Sequence, residues 1–261
     1  MSKQFYAETY DITMSNWPGE LDFYQSMVGS DHSTILEVAC GTGRIALHLA
    51  QRGNLIVGLD HSPAMIEIAQ QKSADLTNVR WIQTDMRTFD LEERFDLALI
   101  PGHAFQHMCT PDDQVACLES IKHHLNPGGR LVVHLDHVGA ENTSWLGDLC
   151  RYLGGVFEPA GEFKRLKTEQ PVRTQRAWSY EPATQTAIAQ TIWEEIDTDG
   201  EVVNRWENGP VRLHCVLRFE MEHLLRRVGF EIEALYGDFY RAPLQDDSTE
   251  MIWIAQLTVD S

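Results

Sequence analysis

The run Ile35-Leu-Glu-Val-Ala-Cys-Gly-Thr-Gly-Arg-Ile-Ala-Leu-His-Leu-Ala50 restricts the fold more than any other stretch of the chain. Ile35 to Ala39 reads as a buried strand and Cys40 to Gly43 as a tight glycine turn. Ile45, Leu47, Leu49 and Ala50 then mark an apolar helix. Gly41 and Gly43 let the main chain approach a ligand lying across the start of that helix, where free N–H groups favour a negatively charged group. The turn is therefore a candidate small-molecule cradle. Its spacing alone leaves two cofactor classes open, because Gly41, Gly43 and Ala46 also satisfy the relaxed dinucleotide pattern G-x-G-x-x-G/A.

Glu37 separates the two classes. A carboxylate near the end of this strand repels a pyrophosphate but suits a ligand carrying an ammonium and a sulfonium, which favours S-adenosylmethionine over NAD. With Glu37-x-x-Cys40-Gly41-Thr42-Gly43 as its first motif, the chain resembles the class I S-adenosylmethionine-dependent methyltransferases of the small-molecule type. The resemblance implies an α/β fold: a Rossmann-like seven-stranded sheet with helices on both faces, here with an inserted antiparallel β-sheet. It places the cofactor-binding core at 1–140 and 219–261, a helical lid at 1–30, and a substrate cap at 141–218.

A second apolar strand, Leu55 to Leu59, ends in Asp60, close to the spacing expected of a carboxylate that accepts from ribose hydroxyls. Capping of the next helix is the plainer role for Asp60, although Ser62 is the better cap. A third strand, Val79 to Gln83, leads to Asp85 and Met86. The resemblance implies that Met65 lies over the adenine, that Asp85 accepts from its amine, and that the Met86 main chain meets the ring edge. It also implies that Tyr6 or Tyr10 hydrogen-bonds within the site, with simple packing of the N-terminal helices as the alternative, and that Tyr10, Ala39, His61 and Pro101 line the cofactor pocket. Core packing for Met65 and a turn role for Asp85 are the alternatives. Three acids, Glu37, Asp60 and Asp85, one after each of three successive strands, are hard to explain as scaffold.

The fourth strand, Phe95 to Ile100, precedes a loop carrying His103 and His107, and the fifth, Leu131 to Leu135, ends beside His137. Ligands of doubly wound sheets bind at the carboxyl ends of strands, so all three histidines are candidate general bases, with packing or capping as the plain alternative. Asn126-Pro-Gly-Gly129 reads as a sharp turn into that fifth strand. In the insertion, 185–196 and 201–206 flank the hairpin signal Asp199-Gly200, and a third strand follows over 211–217. Met221, Leu224, Leu225 and Val228 share one helical face before Gly229, and strands over 230–236 and 251–258 are expected to close the sheet.

Composition limits the partners. There are 39 acidic and 21 basic residues, a formal charge of −18, and no basic run, so a nucleic-acid substrate or an anionic membrane is not expected; a neutral or cationic small molecule is. Five scattered cysteines in no C-x-x-C pair argue for a reducing compartment and against structural zinc, and no metal is expected. With no apolar leader and no membrane-length run, a cytoplasmic monomer or homodimer is the expectation. Methyl transfer to an N, O or C acceptor is the activity implied by the resemblance. An NAD(P)-dependent oxidoreductase and a non-catalytic S-adenosylmethionine-binding protein remain as alternatives.

Overall fold

The computed structural model describes residues 2–14, 17–29, 33–137 and 155–258. The expected insertion boundary at 141 and Cys150 lie outside the described residues. Seven strands form one sheet: β1 (Thr34–Val38), β2 (Leu55–Asp60), β3 (Val79–Gln83), β4 (Phe95–Ile100), β5 (Leu125–Asp136), β10 (Phe230–Tyr236) and β11 (Glu250–Leu257), in the order β10-β11-β5-β4-β1-β2-β3. Pairings among β1 to β5 are parallel, and β11 runs antiparallel to both β5 and β10. The carboxyl ends of β1, β2, β4 and β5 thus meet at one edge. The strand order reverses between β1 and β4, which is where an open α/β sheet has its crevice.

The central strands are near-continuous apolar runs because both faces are covered. Along β1, Leu36 and Val38 enter the core that includes Leu118, Ile121 and Leu225, from helices α5 (Pro111–His123) and α6 (Arg218–Val228). Ile35 faces the other way, with Tyr24, Ile45 and Leu49 from α2 (Glu20–Met27) and α3 (Arg44–Ala50). The strand period of two therefore turns Glu37 toward the α3 side, where it is 2% exposed. The remaining helices are α1 (Ser2–Thr13) and α4 (Pro63–Lys72). No helix among the described residues is long and apolar enough to cross a membrane.

A second sheet holds β6 (Glu158–Lys164), β7 (Pro171–Glu181), β8 (Thr186–Ile196) and β9 (Val202–His214) in antiparallel order. The Asp199-Gly200 hairpin forms as expected, with Asp197 N–H donating to Glu201 O at 3.0 Å. Two expectations change. The stretches read separately on either side of Asn208-Gly209-Pro210 form one strand, β9, whose register against β8 shifts between Ala189 and Thr191. β6 and β7, whose residues alternate without a dominant apolar face, escaped the sequence reading. The turn expected at Asn126–Gly129 is likewise a bend inside β5, where the register against β4 shifts.

Helix α1 docks on one face of the second sheet. The Phe5 ring stacks on Trp206 with centroids 3.8 Å apart and planes 6° from parallel, and it tilts against Trp193 at 5.6 Å. These rings bury large apolar area and fix where α1 lies relative to the glycine turn.

Candidate active site

Local geometry makes the turn after β1. Ala39, Gly41 and Gly43 all have positive φ (58°, 55° and 82°), and Gly43 N–H closes the turn on Cys40 O at 2.9 Å. Glycine is required at 43 for a reason invisible to motif matching: a Cβ there would sit 2.5 Å from the Trp81 ring, which packs behind the turn and also against Gly58. Trp81 Nε1 donates to Ser73 Oγ at 2.8 Å, so the ring has little freedom to retreat. On the opposite side, a Cβ on Gly41 would lie 3.3 Å from the Tyr10 ring.

Asp60 organises the turn from the end of β2. Its Oδ2 accepts from Gly41 N–H at 2.9 Å and its Oδ1 from Ser62 N–H at 2.8 Å, while Ser62 Oγ caps α4 through Met65 N–H at 3.5 Å. Each carboxylate oxygen keeps a lone pair for a ligand. Glu37 is enclosed beside the same turn: burial pushes its pKa up to about 8, the Arg44 charge and an Ala46 main-chain hydrogen bond oppose that, and Oε2 has no partner among the described residues.

Helix α1 closes over this corner. Asp11 Oδ1 accepts from Thr42 Oγ1 at 2.6 Å and Asp11 Oδ2 from Lys72 Nζ at 2.7 Å, and Lys72 also reaches Thr42 O at 3.1 Å. Tyr6 meets Tyr10 edge-on at 5.6 Å, and burial raises the pKa of both hydroxyls. On its far side α1 is held by Glu8, which pairs with Lys167 at 2.6 Å and Arg165 at 3.6 Å.

The three candidate histidines occupy different surroundings. His107 is open to solvent yet walled by protein; burial first, and the His61 charge second, push its pKa below the ordinary imidazole value, against the opposing pull of Asp60 and a hydrogen bond to the Arg212 main chain. Asp60 and His61, at the end of β2, thus act electrostatically on His107. His103 is buried, with Nε2 2.8 Å from Glu250 Oε2. His137 is half-buried, with Asp246 as its electrostatic neighbour and its main-chain N–H donating to Thr249 O at 2.9 Å.

The cluster around His103 was missed by sequence reasoning. His134 Nε2 also lies 2.7 Å from Glu250 Oε2, and the two imidazole Nε2 atoms are 3.2 Å apart. Gly102 N–H donates to His134 Nδ1 at 3.3 Å, which leaves the ring proton on Nε2, directed at Glu250. Trp17 Nε1 donates to Glu250 Oε1 at 2.9 Å, and its ring packs edge-on against both histidines. Burial and the neighbouring His103 hold His134 down at about 4. Glu250 is held down at about 2, its hydrogen bonds to His103 and His134 overcoming burial. Three groups of ligand type come together here, but a metal on His134 Nε2 would need the lone pair that the Gly102 contact assigns to a proton. The one advance signal was an acid at the head of an otherwise apolar run, Glu250 before Met251-Ile252-Trp253.

The other expected cofactor residues divide. Met65 is buried yet belongs to neither of the two cores that flank the large sheet, and Pro101 is buried at the end of β4. Ala39 and Met86 pack partly against the core, and the His61 side chain is 80% exposed, with Nδ1 3.6 Å from Asp60 Oδ1. Asp85 is gripped by Arg87 through Nη2 at 2.6 Å and Nε at 3.0 Å, and Arg87 also reaches Asp113 at 2.7 Å. The Arg87 hydrogen bond is the largest influence lowering the Asp85 pKa.

Residues 35–129 match the family model described as a methyltransferase domain. The structure superposes on the CcbJ methyltransferase of Streptomyces caelestis with a TM-score of 0.79 at 20% identity, covering 97% of this chain and 96% of that one. Residues 35–129 thus form a methyltransferase domain, and the fold is the one seen in methyltransferases of known structure. Sequence relatives include the methyltransferase candidate YqeM of Bacillus subtilis strain 168, 31% identical over 136 residues, covering 51% of this chain and 54% of that protein. Another is the Streptomyces venezuelae dTDP-3-amino-3,4,6-trideoxy-alpha-D-glucopyranose N,N-dimethyltransferase, 33% identical over 135 residues, covering 49% and 56%. The chain thus spans about half the length of the curated relatives it matches. The methyltransferase cofactor fits the residues present: the Glu37 oxygen without a partner offers an acceptor for a cation, and the main chain at Gly41 offers a surface that a side chain would fill.

Proposed function

We propose that this chain transfers a methyl group from S-adenosylmethionine to an amine of a small molecule. The observation that carries the cofactor assignment is Glu37: an enclosed carboxyl with an unpartnered oxygen beside the glycine turn disfavours a diphosphate and favours a cation. In this reading Glu37 takes the cofactor ammonium, Asp60 the ribose hydroxyls, and Met65 and Pro101 the flanks of the pocket. Asp85 stays available to the adenine through lone pairs that Arg87 does not use. Tyr10, held over Gly41 by α1, covers the turn, and the second sheet roofs the acceptor.

When bound, the cofactor supplies a sulfonium methyl that an incoming lone pair displaces in line. The protein's part is to hold the acceptor on that line and exclude water, which supplies much of the acceleration in such reactions. An amine arriving as an ammonium must first lose a proton. His107, which its surroundings keep neutral at pH 7, takes that proton from within the cleft. His103, tied to Glu250, positions the loop after β4. His137 stands beside Asp246, and its earlier candidacy is set below that of His107. Relatives whose names specify amine methylation agree with this choice, among them the Streptomyces sp. cypemycin N-terminal methyltransferase.

The test is release of S-adenosylhomocysteine from wild type supplied with S-adenosylmethionine and separate pools of amines, phenols and carboxylates. Turnover confined to the amine pool, with His107→Ala slowed about a hundredfold or more, is expected. Turnover with phenols alone, or an unimpaired His107→Ala, contradicts the amine reading.

A further inference from the structure

The inner face of the second sheet carries one arginine whose surroundings the proposed reaction does not explain. Four arginines lie on its strands. Arg173 pairs with Glu162 at 3.4 Å, Arg205 with Glu194 at 2.9 Å, and Arg212 with Glu181 at 2.5 Å. Strand alternation and register put these three on the outer face. Arg176 shares the inner face with Val172, Thr174, Trp178 and Tyr180, and it forms no ion pair among the described residues, even with Glu158 directly opposite on β6.

Position makes this meaningful. On this face Trp193 stands next to Thr191, the partner of Arg176 on β8, and the Tyr6 ring of α1 lies 6.0 Å from Trp193 and 5.6 Å from Tyr10, whose ring covers Gly41 of the cofactor turn; the Arg176 charge acts on Tyr6. The guanidinium is reachable by solvent, yet enough protein flanks it that desolvation pulls its pKa below the ordinary value, with Tyr6 opposing. In a chain with a formal charge of −18, nearby carboxylates to neutralise an arginine are plentiful, and three of the four arginines on these strands have one. An arginine left without one on the sheet face against which α1 packs is a preformed receptor for a planar oxyanion, which its fork of N–H donors grips through two parallel hydrogen bonds.

We propose that Arg176 binds a phosphate or carboxylate group carried by the methyl acceptor at a distance from the methylated atom. This rests on the methyltransferase reading and refines it. The acceptor is zwitterionic, with an amine toward His107 and an oxyanion toward Arg176 and Tyr6. It adds an anionic group to the neutral or cationic small molecule expected from net charge, because the local charge at Arg176 is opposite to that of the whole chain.

The test uses the protein saturated with S-adenosylhomocysteine and titrated calorimetrically with inorganic pyrophosphate and, separately, with glutarate. Wild type should bind at least one probe saturably. Arg176→Gln should bind it about tenfold or more weakly and Arg176→Lys to an intermediate degree, with S-adenosylhomocysteine affinity the same in all three. Preference for pyrophosphate identifies a phosphate-bearing acceptor, and preference for glutarate a carboxylate-bearing one. Binding of neither probe by wild type, or equal binding by wild type and Arg176→Gln, overturns the assignment. Failure of wild type to bind S-adenosylhomocysteine overturns instead the methyltransferase reading on which it rests.

Discussion

Asp60 Oδ2 accepts a 2.9 Å hydrogen bond from the main-chain N–H of Gly41, tying the end of β2 to the turn that follows β1. The carboxylate expected to meet the ribose therefore also holds the main chain that forms the rest of the pocket. Asp60→Ala should weaken cofactor binding by more than the loss of one ligand contact, about a hundredfold or more, because Gly41 and Ser62 lose their acceptors too. Asp60→Asn, which keeps one acceptor oxygen, should fall between. Equilibrium binding of S-adenosylhomocysteine to the three proteins checks this; equal affinities would remove Asp60 from the site.

Glu37 predicts a proton linkage. Its pKa of about 8 in the folded protein means that a cationic ligand must draw the proton off. Cofactor affinity should rise with pH up to about 8, approaching tenfold per unit at lower pH, with close to one proton released per ligand bound at pH 6.5. Calorimetry in two buffers of different ionisation enthalpy measures that number, and Glu37→Gln should bring it to zero. For stability the sign is opposite. A folded pKa above the ordinary carboxylate value of 4.5 gives a contribution fully present below 4.5 and lost as pH rises through about 8, so Glu37→Gln should flatten the alkaline decline of unfolding free energy.

The His103–Glu250–His134 cluster predicts acid sensitivity. Glu250, held down at about 2, stabilises the fold above its ordinary 4.5 and loses that contribution as pH falls toward 2; His134, held down at about 4, opposes the fold as pH falls below 6.5, where the unfolded chain takes up the proton first. Both act in the same direction. Glu250→Gln removes a carboxylate shared by two imidazoles and Trp17, and should destabilise by about 3–5 kcal/mol in urea unfolding at pH 7. A loss below about 1 kcal/mol would show that the cluster holds little of the fold.

Gly43 and Trp81 should be energetically coupled. Gly43→Ala forces a residue with a φ of 82° to carry a methyl 2.5 Å from the Trp81 ring, so a loss of about 2–4 kcal/mol is expected. Placing it in a Trp81→Leu background should recover part of that loss, a coupling that a double-mutant cycle reads directly. Strict additivity would mean that backbone strain alone makes glycine necessary.

What could be read from the sequence was what lies close together in the chain. The glycine turn, Glu37 and Asp60 belong to two successive strands whose apolar runs and terminal acids are local patterns, and in the structure Asp60 accepts from Gly41 N–H of that turn. The Glu250 cluster was not legible because it joins the loop after β4, the end of β5 and the head of β11, 147 residues apart at its widest, and only sheet pairing brings Glu250 opposite Asp136. β6 and β7 were missed for a related reason. The inner face of β7 mixes Val172, Trp178 and Tyr180 with the polar Thr174 and Arg176, which blurs the period of two that identifies a half-buried strand.

The most direct test of the central claim is equilibrium titration of the wild-type protein with S-adenosylmethionine and, separately, with NADH. Saturable one-to-one binding of S-adenosylmethionine, without measurable NADH binding, is the predicted result. Tight NADH binding, or no binding of S-adenosylmethionine, would contradict the assignment of Glu37, Gly41 and Asp60 to a methyltransferase cofactor.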